Sequence, residues 1–316
     1  MTDATYEFGW RKFRLDVPEP WEPAHFEGDD AKGYVRLDDV YGPRLELRWG
    51  LAYREDACDT AFEQYLKGLR RDARKKKGAG VFRREPKEVA LVSAWPEGMK
   101  GRVARWSAEI DCVSAVVACS VCNRLTALRV LFAAREMRTS VARRILESFR
   151  DHTASVDAPS VWSLYRMRFE VPSRWRLAEH RFGPGYAEMR FRGPGRLLAD
   201  VRRWGPAEVL LRRQSLEAWY LGQLAPGVRV EAGDLDRTEV RGDEVLSFER
   251  RPGGVAAVLG RLSRGKQARR RLALVSAGWH CASTNRLWVV DVYGASLDEA
   301  REAEWRAFCH ADAEEG

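Results

Sequence analysis

An internal repeat is the feature that most constrains how this 316-residue chain can fold. The stretch FRLDVPEPW at 13–21 recurs as MRFEVPSRW at 167–175. Further matches follow in the same order and at near-constant spacing: GY at 33–34 and 185–186, GP at 42–43 and 193–194, WG at 49–50 and 204–205, YLKGL at 65–69 with YLGQL at 220–224, and NRL at 123–125 and 285–287. The sequence therefore predicts a tandem duplication. We predict a first unit at 5–152, a polar linker at 153–159 and a second unit at 160–310.

Hydrophobic periodicity predicts the elements inside each unit. Phe13, Leu15 and Val17 alternate as in a half-buried strand, and Pro18 ends it because proline cannot donate to a strand ladder. Apolar residues at the spacing of one helix face predict a helix over 57–75, and a second helix over 139–151 closes the unit. The second unit repeats this pattern and closes with a predicted helix over 296–309.

The NRL sequence lies between two alternating runs in each unit, at the turn of a predicted hairpin. Asn123 and Asn285 are the only asparagines in the chain. Asparagine tolerates positive φ better than other non-glycine residues, so a tight turn is its expected place. We favour this interpretation over a catalytic asparagine because no partner residues accompany it.

The order of these elements, opened by F-x-[LF]-x-V-P-x-x-W and closed by the hairpin CNRLTALRV at 122–130, resembles the PsbP/Mog-type family. The resemblance covers nearly the whole chain, once per unit. It implies the α+β class, with two tandem α/β/α sandwich domains, each a mostly antiparallel sheet flanked by two helices. It also implies a non-catalytic role in binding another macromolecule. The cytosolic branch, which includes chaperones that load type VI secretion effectors, is the part of the family that this chain is similar to.

Composition narrows the function classes. Hydrophobic residues make up 45% of the chain and twelve are tryptophan, which excludes global disorder. There is no apolar run of the roughly 18 residues that a membrane-spanning helix needs. The N-terminal sequence MTDATYEFGW lacks the features of a signal peptide, so we predict a cytoplasmic protein. The net charge of +8 is compatible with nucleic acid, anionic lipid or an acidic protein as partner.

The six cysteines are predicted to be reduced and mostly buried. Cys119-x-x-Cys122, together with His280-Cys281 and Cys309-His310, could form a split zinc site. We argue against it because Cys119 is predicted within a strand and Cys122 at its end, whereas zinc ribbons place both thiolates on a tight turn. No metal site and no cofactor are predicted. Whether Cys119, Cys122 or Cys281 is reactive stays open.

Two basic segments distinguish the copies. RRDARKKKG at 70–78 has six basic residues and one acid, and the insertion at 250–271 in the second unit has eight basic residues and no acid. Most such runs are solvated helix ends or loops. The functional interpretation predicts that they bind a partner through Arg70, Arg71, Arg74, Lys75, Lys76, Lys77, Arg261, Arg264, Lys266, Arg269, Arg270 and Arg271.

A protein with an acidic surface is the preferred partner, because no aromatic residue is interleaved with the basic ones as in many nucleic-acid sites. The sequence thus predicts a cytoplasmic adaptor or chaperone that acts through protein–protein contacts. A nucleic-acid-binding protein that uses 70–78 and 250–271 is the first alternative. An enzyme with a site between the two units is the second, although no catalytic motif is present.

Overall fold

The computed structural model describes residues 4–52, 56–75, 82–152, 158–225, 228–240, 242–251, 272–302 and 307–308. The chain divides into two compact units, one formed by 1–156 with 160–165 and the other by 157–159 with 166–316. The strand at 160–164, which the repeat pattern assigns to the second unit, lies with the first. The structural boundary therefore differs from the predicted one by this strand.

The first unit is built around a seven-stranded antiparallel sheet of order β3-β4-β5-β9-β8-β7-β6. Strands β2, β1 and β10 are neighbours in a second, five-stranded sheet. The elements are β1 (Thr5–Trp10), β2 (Phe13–Pro18), β3 (Glu22–Gly28), β4 (Gly33–Asp39), β5 (Gly42–Leu51), α1 (Ala57–Lys75), β6 (Arg84–Glu88), β7 (Met99–Ser107), β8 (Asp111–Cys119), β9 (Arg124–Phe132), α2 (Thr139–Ser148) and β10 (Ser160–Leu164).

The second unit has its own seven-stranded antiparallel sheet, of order β12-β13-β14-β18-β17-β16-β15, and its β11 pairs with β19. Its elements are β11 (Met167–Val171), β12 (Arg176–Gly183), β13 (Tyr186–Arg192), β14 (Leu198–Trp204), α3 (Ala207–Leu210), α4 (Leu216–Gln223), a 3-10 turn (Ala232–Asp234), β15 (Asp236–Val240), β16 (Asp243–Arg250), β17 (Ala273–Cys281), β18 (Arg286–Gly294), α5 (Leu297–Glu302) and β19 (Ala307–Phe308).

The two large sheets have the same topology. In each, three strands come first along the chain, a helix crosses one face, and four strands complete the sheet in the reverse direction. Local contacts repeat as well: the N–H of Trp21 donates to Pro18 and that of Trp175 to Pro172, both at 2.9 Å. Asn123 and Asn285 have φ of 52° and 53°, so both take the turn conformation expected of them.

The predicted α+β class is wrong. The described residues are mainly antiparallel strands in three sheets, with five helices, rather than a sheet flanked by two helices in each domain. Strands without an apolar face account for much of the error: in β3 only Pro23 is buried, and every residue of β15 is exposed. The helix predicted over 57–75 is confirmed as α1, but α5 ends at Glu302 and strand β19 lies where the predicted helix over 296–309 would continue.

One hydrogen bond fastens the main helix to the sheet in both units. The Tyr65 hydroxyl of α1 lies 2.6 Å from Ser114 Oγ of β8, and the Tyr220 hydroxyl of α4 donates to Ser276 Oγ of β17 at 2.7 Å. Both serines are buried. Because a buried hydroxyl needs a partner, each bond also fixes the height of the helix above its strand.

The WG repeat, by contrast, does not mark equivalent positions. Gly50 pairs with Leu125 in the first sheet, whereas Trp204 pairs with Leu287 in the second, a shift of one residue. Such a shift moves a side chain to the other face of the sheet. Trp49 accordingly packs on Phe13 of β2, with ring centroids 5.1 Å apart, whereas Trp204 packs on the side of α4.

We expect Tyr65→Phe and Tyr220→Phe each to lower the free energy of unfolding by about 1 kcal/mol, the usual net value of one buried hydrogen bond. Urea unfolding with amide hydrogen exchange measures this and assigns each loss to its own unit. Tyr41→Phe is the matched control, because the Tyr41 side chain is exposed. Variants as stable as the wild type would show that these bonds do not hold the helices.

Candidate functional site

The predicted partner-binding residues fall only partly within the described chain. Arg70 and Arg71 lie exposed on α1, and the Arg70 guanidinium donates to the Pro86 carbonyl at 3.2 Å. Arg74 and Lys75 form the last two backbone positions of α1. Outside the described residues are Lys76, Lys77, Arg261, Arg264, Lys266, Arg269, Arg270 and Arg271. The Pro86 contact gives Arg70 a structural role, and partner binding by the basic segments stays a prediction.

A groove in the first unit was not predicted. One side is the end of β2 and the turn after it, and the other is α2. Its apolar lining comes mainly from Pro18, Pro20, Trp21, Val141 and Ile145. Charged residues of both signs lie around it: Asp16, Asp39, Arg44, Glu136, Arg138 and Arg144. The groove thus offers an apolar surface with a mixed-charge rim.

The β4–β5 turn forms one end of this groove and carries two exposed apolar side chains. Val40 is 88% exposed and Tyr41 is 87% exposed, and Tyr41 lines the groove. The turn has a defined shape, because the Tyr41 N–H donates to Asp39 Oδ1 at 2.8 Å and Asp39 pairs with Arg44 at 2.6 Å. Tyr41 is the one aromatic among the large, exposed apolar side chains of the described chain.

Cys119 and Cys122 lie together at the β8–β9 hairpin. Cys119 is the last residue of β8 and is buried, whereas Cys122, predicted at the end of this strand, lies in the four-residue turn that follows and is half-buried. All five described cysteines are free thiols. The predicted strand position of Cys119 is thus confirmed, and a tight turn brings Cys122 close to it.

The turn directs hydrogen-bond donors at the Cys119 sulfur. The Cys122 thiol and the backbone N–H groups of Cys122 and Val121 lower the pKa of Cys119 to about 6, although burial opposes this. The same contact with Cys119, together with burial and the nearby Asp151 carboxylate, raises the pKa of Cys122. Of the two thiols, Cys119 therefore loses its proton at the lower pH, and Cys122 keeps its proton to a higher pH.

Asp151 follows helix α2 in the sequence and contacts this turn through its carboxylate. Arg14 of β2 and Arg150 exchange both backbone hydrogen bonds, at 2.9 and 2.8 Å, and Asp151 is the next residue. Its Oδ2 accepts from the Cys122 thiol at 2.9 Å. Its Oδ1 accepts from the Arg124 guanidinium at 2.9 Å, in an ion pair whose side chains are only 6% and 2% exposed.

Sequence reasoning missed Asp151 and Arg124. The repeated NRL contained a usable signal, because Arg124 and Arg286 occur in both copies and only the asparagine was considered. Asp151 lies 29 residues beyond Cys122, inside what was predicted as the end of a helix. No spacing rule could connect them.

No protein-family model matches the sequence, and a search of the curated proteins found no match. The resemblance to the PsbP/Mog-type family thus stays a prediction. The described chain contains no helix long and apolar enough to cross a membrane.

We expect Arg124→Met to lower the free energy of unfolding by about 3–5 kcal/mol, because it leaves the Asp151 charge buried without its partner. Arg36→Met is the control: Arg36 pairs with Asp38 at 2.8 Å but is 36% exposed, and a pair of this kind contributes less than about 1 kcal/mol. Urea denaturation measures both. Equal losses in the two variants would refute a special role for the buried pair.

The Cys119 thiol should react as a thiolate near neutral pH. In the reduced, metal-free protein we expect its alkylation by iodoacetamide to rise with pH through a midpoint of about 6 and then level off, since only the thiolate attacks. Cys122→Ala removes the side-chain donor and should move the midpoint upward. Peptide mass spectrometry after timed alkylation reports each cysteine separately, and a midpoint that the substitution leaves in place would contradict the proposed cause.

Proposed function

We propose that this chain is a cytoplasmic protein-binding adaptor or chaperone, and that the groove of its first unit receives an apolar segment of a partner protein. The observation that carries the proposal is the exposed Tyr41 at the end of an apolar groove. Tyrosine is enriched among the residues that dominate binding energy at protein interfaces, because one rigid ring covers a large apolar area and its hydroxyl stays hydrated.

The second unit supports this assignment by contrast. At the place of the β4–β5 turn, its β13–β14 connection reads GPGRL at 193–197 and closes on itself through the Gly193 N–H and the Leu197 carbonyl, 2.9 Å apart. It contributes no large exposed apolar side chain to the described surface. The fold therefore does not require Val40 and Tyr41, and their exposure has a cost in water that a bound partner would remove.

The chemistry of the groove indicates what it would bind. Proline rings, the Trp21 indole and the aliphatic side chains of α2 suit an aliphatic or aromatic side chain of the partner. The rim has three acidic and three basic residues, so net charge would not select the partner there. The basic segment at 70–78 would add electrostatic attraction to an acidic partner surface. The proposal assigns no catalytic residue.

The free cysteines support the proposed compartment. Cys119 and Cys122 lie close together and are both thiols, as expected of a protein kept in a reducing environment. Fractionation of the native cell, followed by detection of the protein, tests this part of the proposal. Recovery from an oxidising compartment with these cysteines as a disulfide would contradict it.

The groove is tested by selecting peptides from a random display library on the immobilised protein. We expect the enriched peptides to share apolar residues and to bind the double variant Val40→Ser/Tyr41→Ser at least about tenfold more weakly, as for loss of an interface hot spot. Val240→Ser is the matched control, because Val240 is an exposed valine of the second unit, on strand β15. Fluorescence anisotropy with a labelled peptide measures the affinities.

Amide hydrogen exchange then locates the bound peptide. Protection at 18–21 and 138–145 would support the proposal, because these ranges line the groove. Peptides that bind both variants equally, or that protect amides elsewhere, would overturn it. Capture of oligonucleotides with a steep salt dependence, and of no peptide, would favour the nucleic-acid alternative instead.

A further inference from the structure

Three side chains with metal-binding atoms converge under the β8–β9 turn. Cys119 Sγ, Cys122 Sγ and a carboxylate oxygen of Asp151 all lie within 4.8 Å of one another. Cys119 and Asp151 are buried and Cys122 is half-buried, so the cluster is shielded but reachable from one side. The two thiols have the Cys-x-x-Cys spacing that many zinc sites use.

The Cys122 thiol lies between two acceptor atoms. The Cys122 thiol has a single proton, yet both Asp151 Oδ2 and the Cys119 sulfur lie in position to accept it. A metal ion in place of that proton would contact both sulfur atoms and the Asp151 carboxylate at once. Asp151 Oδ1 would keep its bond to Arg124, which would orient the carboxylate as an outer-shell partner does at many metal sites.

The charges agree with a divalent ion. Two thiolates and Asp151 would bring three negative charges, of which Arg124 balances one. A divalent cation balances the other two, and buried charge has to be balanced in this way. Thiolate ligands exclude Mg²⁺ and Ca²⁺, which prefer oxygen, and favour Zn²⁺.

We propose that Cys119, Cys122 and Asp151 form a Zn²⁺ site in the first unit. Each residue supplies one ligand, and three protein ligands leave one position of a tetrahedral Zn²⁺ ion for water or for a group of a bound molecule. Binding displaces the proton that Cys122 donates to Asp151, so the affinity for Zn²⁺ rises with pH.

The second unit provides a natural comparison. Its turn has the same backbone, since Asn285 has the φ of Asn123, and Cys281 occupies the place of Cys119. Thr284 stands where the first unit has Cys122. The hairpin therefore folds with a hydroxyl at this position, and the second thiol is an addition of the first unit alone.

Metal titration of the full chain tests the proposal. Protein stripped with a chelator and kept reduced with a phosphine is titrated with Co²⁺, whose thiolate charge-transfer and tetrahedral d–d absorption report the ligands, and then with Zn²⁺. We expect one Co²⁺ ion to bind at this site, Zn²⁺ to displace it, and Cys122→Thr to weaken Zn²⁺ binding by more than about 100-fold, beyond the loss of an outer-shell partner. Cys281→Ala is the matched control and should bind as the wild type does.

A measurement on the unmodified chain keeps the test independent of variant folding. Bound Zn²⁺ should protect Cys119 and Cys122 from alkylation and leave the reactivity of Cys281 unchanged. A cobalt spectrum without thiolate charge transfer, or alkylation of Cys119 and Cys122 that Zn²⁺ does not slow, would overturn the proposal. So would recovery of the two cysteines as a disulfide whose reduction restores no Zn²⁺ binding.

Discussion

The buried ion pair between Arg124 and Asp151 is the contact on which the first unit depends most. The Arg124 guanidinium also donates to the Asp30 carbonyl at 3.1 Å and lies 4.4 Å from the centroid of the Phe13 ring. One side chain thus joins β2, the β3–β4 turn, β9 and the segment after α2. Because removal of either charge would leave the other buried without a partner, these four stretches must come together as a unit. The β8–β9 turn depends on the same ion pair, because Asp151 also accepts the hydrogen bond of the Cys122 thiol.

The fold could be predicted where burial is periodic and was missed where it is not. The repeat, helix α1 and the hairpins around Asn123 and Asn285 follow from patterns that the structure contains. The edge strands β3, β12 and β15 expose most of their residues. Their sequences are therefore polar and lack the alternation of apolar residues that predicts a strand. These edge strands are held by hydrogen bonds to one neighbouring strand, and they have no apolar face that a periodic pattern would reveal. The strand content was underestimated for this reason, and the predicted class was wrong.

Sequence reasoning reached the candidate site only in part. The C-x-x-C spacing was noticed, but the expected position of Cys122 at the end of the strand gave no reason to bring the two thiols together, whereas the turn at 120–123 does so. Asp151 is placed by backbone pairing between β2 and Arg150, which has no local signal. The groove depends in the same way on the approach of α2 to the end of β2. Contacts between residues that are far apart in the chain leave no local pattern, so a single sequence does not predict them.

The duplication shows which contacts the fold requires and which are free to change. Both units keep the tyrosine–serine bond between helix and sheet. At the equivalent position of the last hairpin strand, however, the first unit has Arg129 paired with Glu46, and the second has Asp291 paired with Arg202. The charge at this position has reversed and its partner lies elsewhere: Glu46 is directly opposite Arg129, whereas Asp200 is opposite Asp291 and Arg202 lies two residues further along the strand. Each sheet therefore supplies a counter-charge at this position in its own way. Tyr41 and Cys122 are different, because the second unit folds without either. This contrast between the units is why a ligand of the first unit is proposed at each of these two residues.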